Sequence, residues 1–159
     1  MYLDALSFLE DERDAFRPFE ALDGLSEEQL ERPVETLNGW SGRDLMIHLL
    51  VWQEVLLAAA MELAVSETSP TLDHADADWA ARGDAVNDDL HAAWAGRPAG
   101  ELRARFREVP GELRGYLTVV PESRWIKHAT HLHSFVRKSL EHYDDHRSDL
   151  AAILGAEDR

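Results

Sequence analysis

Residues 45–65 read LMIHLLVWQEVLLAAAMELAV, an apolar run about as long as a membrane-spanning helix, and its polar members decide what it is. His48, Gln53, Glu54 and Glu62 place too many hydrogen-bonding or ionisable groups in hydrocarbon. The segment therefore reads as the central helix of a bundle, covered on most sides by its neighbours. Ser41 marks its start, because the hydroxyl can accept an orphan backbone N–H while Asp44 sits at the positive end of the helix dipole.

Working outward, no β-branched alternating run stands between turn residues, so the chain is expected to be all-α. A first helix is predicted over residues 2–22, with Leu6, Leu9 and Phe16 at helical spacing and Pro18 kinking it or ending it early. Ser26 and Gln29 form a capping-box pattern for one short turn before Pro33. After the central helix, residues 66–74 (SETSPTLDH) read as a loop. Residues 75–94 read as a helix with Trp79, Val86, Leu90 and Ala93 on one face. From Glu101, the set Leu102, Phe106, Val109, Leu113, Leu117 and Val120 keeps one helical phase across Pro110, which predicts a kinked helix stopped by Pro121. The last helix is expected from about His131 to Leu154, with Gly155 as its stop. The sum is a single-domain antiparallel four-helix bundle with an additional helix on the crossover between the second and third.

The 159 residues amount to one domain, and 45% apolar with 30% charged residues is a globular composition. Sixteen basic against 31 acidic residues leave a net charge of −15, a field that repels phosphate backbones and argues against nucleic acid as a partner. The acidic runs at residues 11–14 and 144–145 read as solvated faces. Cysteine is absent, so a thiolate ligand or nucleophile has to be brought in by a small molecule. The N-terminal stretch MYLDALSFLEDERD carries acids where a signal peptide carries bases, and the cytoplasm is the expected compartment.

Chemistry concentrates in histidine. His142 and His146, four residues apart, put two imidazoles on one side of the last helix, roughly 6 Å from each other. His48 shares an interior stripe with Leu45, Leu49, Trp52 and Leu56, and Asp44 one turn earlier is placed to hold one of its ring nitrogens. Bundle axes about 8–10 Å apart let side chains of facing helices meet on one ion, so His48 can join His142 and His146. Three neutral imidazoles suit Zn²⁺ best, then Ni²⁺ or Fe²⁺, and leave coordination positions for water or substrate. Glu54 lies about 240° round the helix from His48 and points elsewhere. Tyr143 and Asp145 are candidate helpers, and Trp52, one turn after His48, is the tryptophan best placed to line a pocket. Trp79, Trp94 and Trp125 read as core or capping aromatics, and His128, His131 and His133 as surface groups.

The segment NGWSGRD over residues 38–44, followed by His48 and Trp52, and EHYDDH over residues 141–146 resemble the DinB/YfiT-like metalloenzymes, which include the ClbS/DfsB branch. The resemblance covers most of the chain and implies a four-helix bundle with His48, His142 and His146 as metal ligands. It also implies that Asn87 matches an asparagine of some members; with Trp52 and Tyr143, read above from their positions, Asn87 makes up the residues expected to contact a cofactor or substrate.

The resemblance further implies a divalent metal, a low-molecular-weight thiol of bacillithiol or mycothiol type, and a small reactive substrate. The expected activity is a metal-dependent hydrolase or thiol-dependent transferase in stress response or detoxification. The alternative is a metal-free ClbS/DfsB-type protein that sequesters or hydrolyses a reactive metabolite. A third reading is a purely structural bundle that dimerises through an apolar helix face, with the histidines as satisfied core groups; a homodimer is compatible with all three, and no membrane partner is expected.

Overall fold

Helical periodicity produces a succession of helices and no strand among the described residues, 2–157, of the computed structural model. They are α1 (Ala5–Phe16), α2 (Glu27–Glu31), α3 (Gly42–Val65), α4 (Pro70–Arg82), α5 (Ala85–Ala95), α6 (Ala99–Val119), α7 (Ala129–Lys138), α8 (Leu140–Asp145) and α9 (Arg147–Glu157). Short 3-10 turns lie at Arg17–Gly24, Glu35–Leu37 and Glu122–Arg124.

Helix α3 is the axis of the bundle and packs against α4, α5, α6, α7 and α9. Its capping box is formed: the Ser41 hydroxyl accepts from the Asp44 N–H at 3.2 Å, and the Asp44 carboxylate accepts from the Ser41 N–H at 2.9 Å. By length and composition the segment Glu35–Val65 could cross a membrane, but 72% of its apolar window is buried inside the fold, as befits a core helix. Helix α1 closes one side against α6 and α8, and α4 with α5 forms the crossover between α3 and α6. The apolar interior divides into two clusters. One gathers Phe16, Phe19, Leu45, Leu49, Phe106 and Tyr143, and the other Phe8, Leu63, Leu117, Trp125 and Phe135.

Pro18 ends the first helix early, as expected of a residue that lacks an N–H and crowds the preceding turn: after Phe16 the chain tightens into a 3-10 stretch that still buries Phe19 and Leu22. Element boundaries depart from the sequence expectation in three places, each for a local reason. The expected loop at 66–74 is helical from Pro70, because Glu62 on α3 accepts hydrogen bonds from the Ser69 and Thr71 hydroxyls at 2.7 and 2.9 Å and from the Thr71 N–H at 3.0 Å. The single crossover helix is two, split at Gly83, whose φ of 56° and ψ of −131° suit glycine. The last helix is three, interrupted at Ser139 (φ −125°, ψ −88°) and at His146 (φ −102°, ψ 5°), and it runs through Gly155 instead of stopping there. As predicted, α6 passes through Pro110 with Val109, Leu113 and Leu117 buried.

Candidate functional site

His48 projects from the middle of α3 and is 6% exposed, while His142 comes from α8 and His146 from the break between α8 and α9. The structure brings all three together. His48 Nε2 lies 2.8 Å from His142 Nε2 and 3.0 Å from His146 Nε2, and one ring nitrogen from each falls within 4.8 Å of the others. The rings meet edge to face, with centroids 4.6–4.8 Å apart.

The electrostatics keep His48 and His142 neutral. Burial, followed by the His146 and His91 charges, pushes His48 down to about 3, and burial, followed by His48 and His146, pushes His142 down to about 2. Both imidazoles are thus unprotonated at neutral pH, each with a nitrogen lone pair free to coordinate. The Nδ1–H of His146 donates to Asp149 Oδ2 at 2.7 Å, which orients the ring so that Nε2 faces His48. Three imidazole nitrogens converging in this way are a donor set that fits a divalent cation.

Asp44, expected beside His48, is engaged elsewhere. One of its oxygens caps α3 through Ser41 and the other pairs with His91 Nε2 at 2.8 Å. The orienting carboxylate is Asp149, which follows its histidine by three residues. His142 Nδ1 is buried without a hydrogen-bond partner among the described residues.

The three rings form part of the wall of a cavity of about 680 Å³. Trp40, Trp52 and Trp79 supply aromatic surface, and the Trp52 indole N–H donates to Asn87 Oδ1 at 2.8 Å, so both of these expected contact residues lie on the wall. Trp40 stands edge-on to His48 with centroids 5.5 Å apart, and Trp52 edge-on to His142 at 6.4 Å. On α7, Lys138 pairs with Asp76 of α4, which also accepts from Ser134 at 2.7 Å, and Arg137 and Asp145 border the same space.

Tyr143 is the expected contact residue that the fold puts somewhere else. Its ring is fully buried against Phe16 and Phe19, and its hydroxyl donates to Glu12 Oε1 at 2.9 Å and accepts from Gln53 Nε2 at 3.1 Å. One step along α8 from His142 turns it about 100° away from the cavity. Burial, and then the Glu12 charge, raise its pKa well above the ordinary phenol value, so it remains a proton donor. Glu12, placed by sequence on a solvated acidic face, is 2% exposed and paired with Arg114 Nε at 2.5 Å. Glu54 points away from the site as expected and accepts from Arg105 Nε at 3.0 Å.

The second histidine cluster is also more structural than its composition implied. His128 caps α7 by accepting from the His131 N–H at 3.2 Å, and buried His131 donates to the Arg124 carbonyl at 2.6 Å. His133 is exposed but borders the cavity. Trp94 and Trp125 are core residues, whereas Trp79 is 39% exposed at the cavity wall. The contributions of Trp79, Asp76 and Lys138 come from the α4–α7 approach, for which spacing within either helix carries no signal.

A family model described as the mycothiol maleylpyruvate isomerase N-terminal domain matches residues 9–151. No curated protein and no solved structure gives a significant match. The match spans most of the chain, which therefore belongs to this family, itself a member of the DinB/YfiT-like helical superfamily that the two sequence segments resembled.

Proposed function

We propose that this member of the mycothiol maleylpyruvate isomerase N-terminal domain family binds one divalent cation through the Nε2 atoms of His48, His142 and His146. Zn²⁺ is the first expectation, and Ni²⁺ and Fe²⁺ also suit three imidazoles. The proposed reaction is transfer to, or isomerisation of, a small electrophile with a low-molecular-weight thiol of the mycothiol kind. The observation that carries this reading is the convergence of three imidazole nitrogens, two of them on rings that desolvation holds neutral, in the wall of a cavity large enough for a small molecule.

A bound cation would supply Lewis acidity, holding a thiol as thiolate or lowering the pKa of water toward about 7. The chain's own residues do the rest. Asp149 orients His146; Trp40 and Trp52 cover His48 and His142 with aromatic surface that limits water; the bond to Asn87 fixes the Trp52 plane. Arg137 and Lys138 border the cavity but are paired with Glu141 and Asp76, and Asp84, Asp88 and Asp145 line the same wall, so its charge does not favour an anionic guest. With no cysteine in the sequence, a sulfur nucleophile has to arrive as a small molecule, which agrees with the thiol in the family description.

The test is to load the protein with Co²⁺ and titrate it with mycothiol. A sulfur-to-cobalt charge-transfer band that saturates, and that is lost in the His48→Ala, His142→Ala and His146→Ala variants, is the expected result. A bound cobalt spectrum that ignores the thiol would overturn the thiol assignment and favour hydrolysis. The three tryptophans on the wall support a second reading, a metal-free protein that sequesters a reactive metabolite. That reading requires the triple-histidine variant to bind such a metabolite as well as the parent does.

A further inference from the structure

The segment carrying His142 and His146 has little of its own to hold it in place. Helix α8 spans only Leu140–Asp145, and the backbone leaves helical geometry on both sides, at Ser139 and His146. Six residues are far too few for a helix to persist by its own hydrogen bonds. Its rotation about its axis, and so the direction of both imidazoles, must be set by what its other face touches.

That face is Tyr143. Its hydroxyl bonds Glu12 of α1 and Gln53 of α3, Arg114 of α6 pairs with Glu12, and its ring packs on Phe16 with centroids 5.3 Å apart. One oxygen atom thus connects α8 with α1 and α3, and through Glu12 with α6. The Gln53 bond joins the two ligand-bearing helices directly, because Gln53 lies five residues after His48 on α3.

The network is costly for a core that only needed filling. Glu12 is a buried carboxylate, and Gln53 Oε1 and Arg114 Nη2 are buried without a hydrogen-bond partner among the described residues. An apolar replacement of similar volume stabilises a fold at least as well as such a group, so stability alone does not account for it. A directional bond instead selects one rotation of a short helix, which a greasy contact does not.

We infer that the Tyr143 hydroxyl, clamped between Glu12 and Gln53, is a positioning device that sets how the short helix bearing His142, and ending at His146, faces the helix bearing His48. Its effect on metal affinity rests on the three-imidazole reading above, whereas its effect on the rings does not.

The experiment compares the full chain with Tyr143→Phe, Glu12→Gln and Leu63→Ala. Phe keeps the ring packing and removes only the hydroxyl; Gln keeps an acceptor for it; Leu63 lies in the other core cluster and controls for general loss of stability. In metal-free protein, NMR cross-relaxation between the His48 and His142 rings is expected to weaken in Tyr143→Phe and to persist in Leu63→Ala. Zn²⁺ affinity, measured by competition with a fluorescent chelator, is expected to fall about tenfold in Tyr143→Phe, by about threefold or less in Glu12→Gln, and not at all in Leu63→Ala. Parent-like ring contacts in Tyr143→Phe overturn the inference, as does an equal loss of affinity in Leu63→Ala. A parent protein that takes up no Zn²⁺ defeats the proposed function instead, and the ring contacts then decide the positioning role alone.

Discussion

Replacing Asp149 by Ala removes the acceptor that orients His146 and leaves all three imidazoles in place. The Nδ1 to Oδ2 separation is 2.7 Å, short for a charge-assisted bond, and the two side chains are 18% and 28% exposed. Hydrogen bonds to a charged group contribute about 1.5–3 kcal/mol, and partial solvation puts this one at the lower end. About 1.4 kcal/mol corresponds to a tenfold loss of Zn²⁺ affinity, within the range expected when the carboxylate behind a metal-binding histidine is removed. Asp149→Asn keeps a neutral acceptor, and because neutral hydrogen bonds are roughly half as strong, it should lose about threefold. The assay is competition with a fluorescent chelator at fixed pH, with far-ultraviolet circular dichroism to confirm that helix content is unchanged. Affinity in Asp149→Ala equal to that of the parent would refute the reasoning, since His146 would then be aimed without its partner.

Two further outcomes follow from the same geometry. His48 and His142 are pushed down to about 3 and about 2 in the fold, whereas the unfolded chain protonates them near pH 6.5, so the unfolded state binds more protons throughout that window. Metal-free stability should therefore be flat above pH 6.5 and fall as pH drops below it, by roughly 1–3 kcal/mol at pH 5.5 for the pair; denaturant titrations at pH 7.5 and 5.5 that coincide would contradict this. Trp52→Phe retains an aromatic wall but loses the 2.8 Å bond to Asn87, and should weaken thiol binding by roughly fivefold while leaving Zn²⁺ affinity intact; a thiol titration identical to the parent's would show that the tether has no part in binding.

The three-histidine cluster was legible in sequence because each member carries a local signal. His48 interrupts an apolar stripe, and His142 and His146 repeat at the spacing of one helical turn. The bundle was legible for the same reason, since helical phase survives Pro110 and the breaks at Gly83 and Ser139. What could not be read was which partner a polar side chain finds across the fold. Glu62 starts α4 from a neighbouring helix, Asp44 chooses His91 over His48, and Glu12 leaves an exposed-looking acidic run to meet Arg114 and Tyr143. Periodicity reports the face a residue occupies on its own helix; it is silent about what the next helix presents there. Tyr143 shows the cost of that silence, because its place beside His142 in the sequence invited a site role while the helix turn sends it into the core.

Elemental analysis of the protein purified without a histidine tag tests the central claim most directly. The account predicts about one divalent ion per chain, lost when His48, His142 or His146 is changed to Ala while the helices remain. Protein that binds no ion after incubation with Zn²⁺, or variants that keep the parent's full complement, would contradict it.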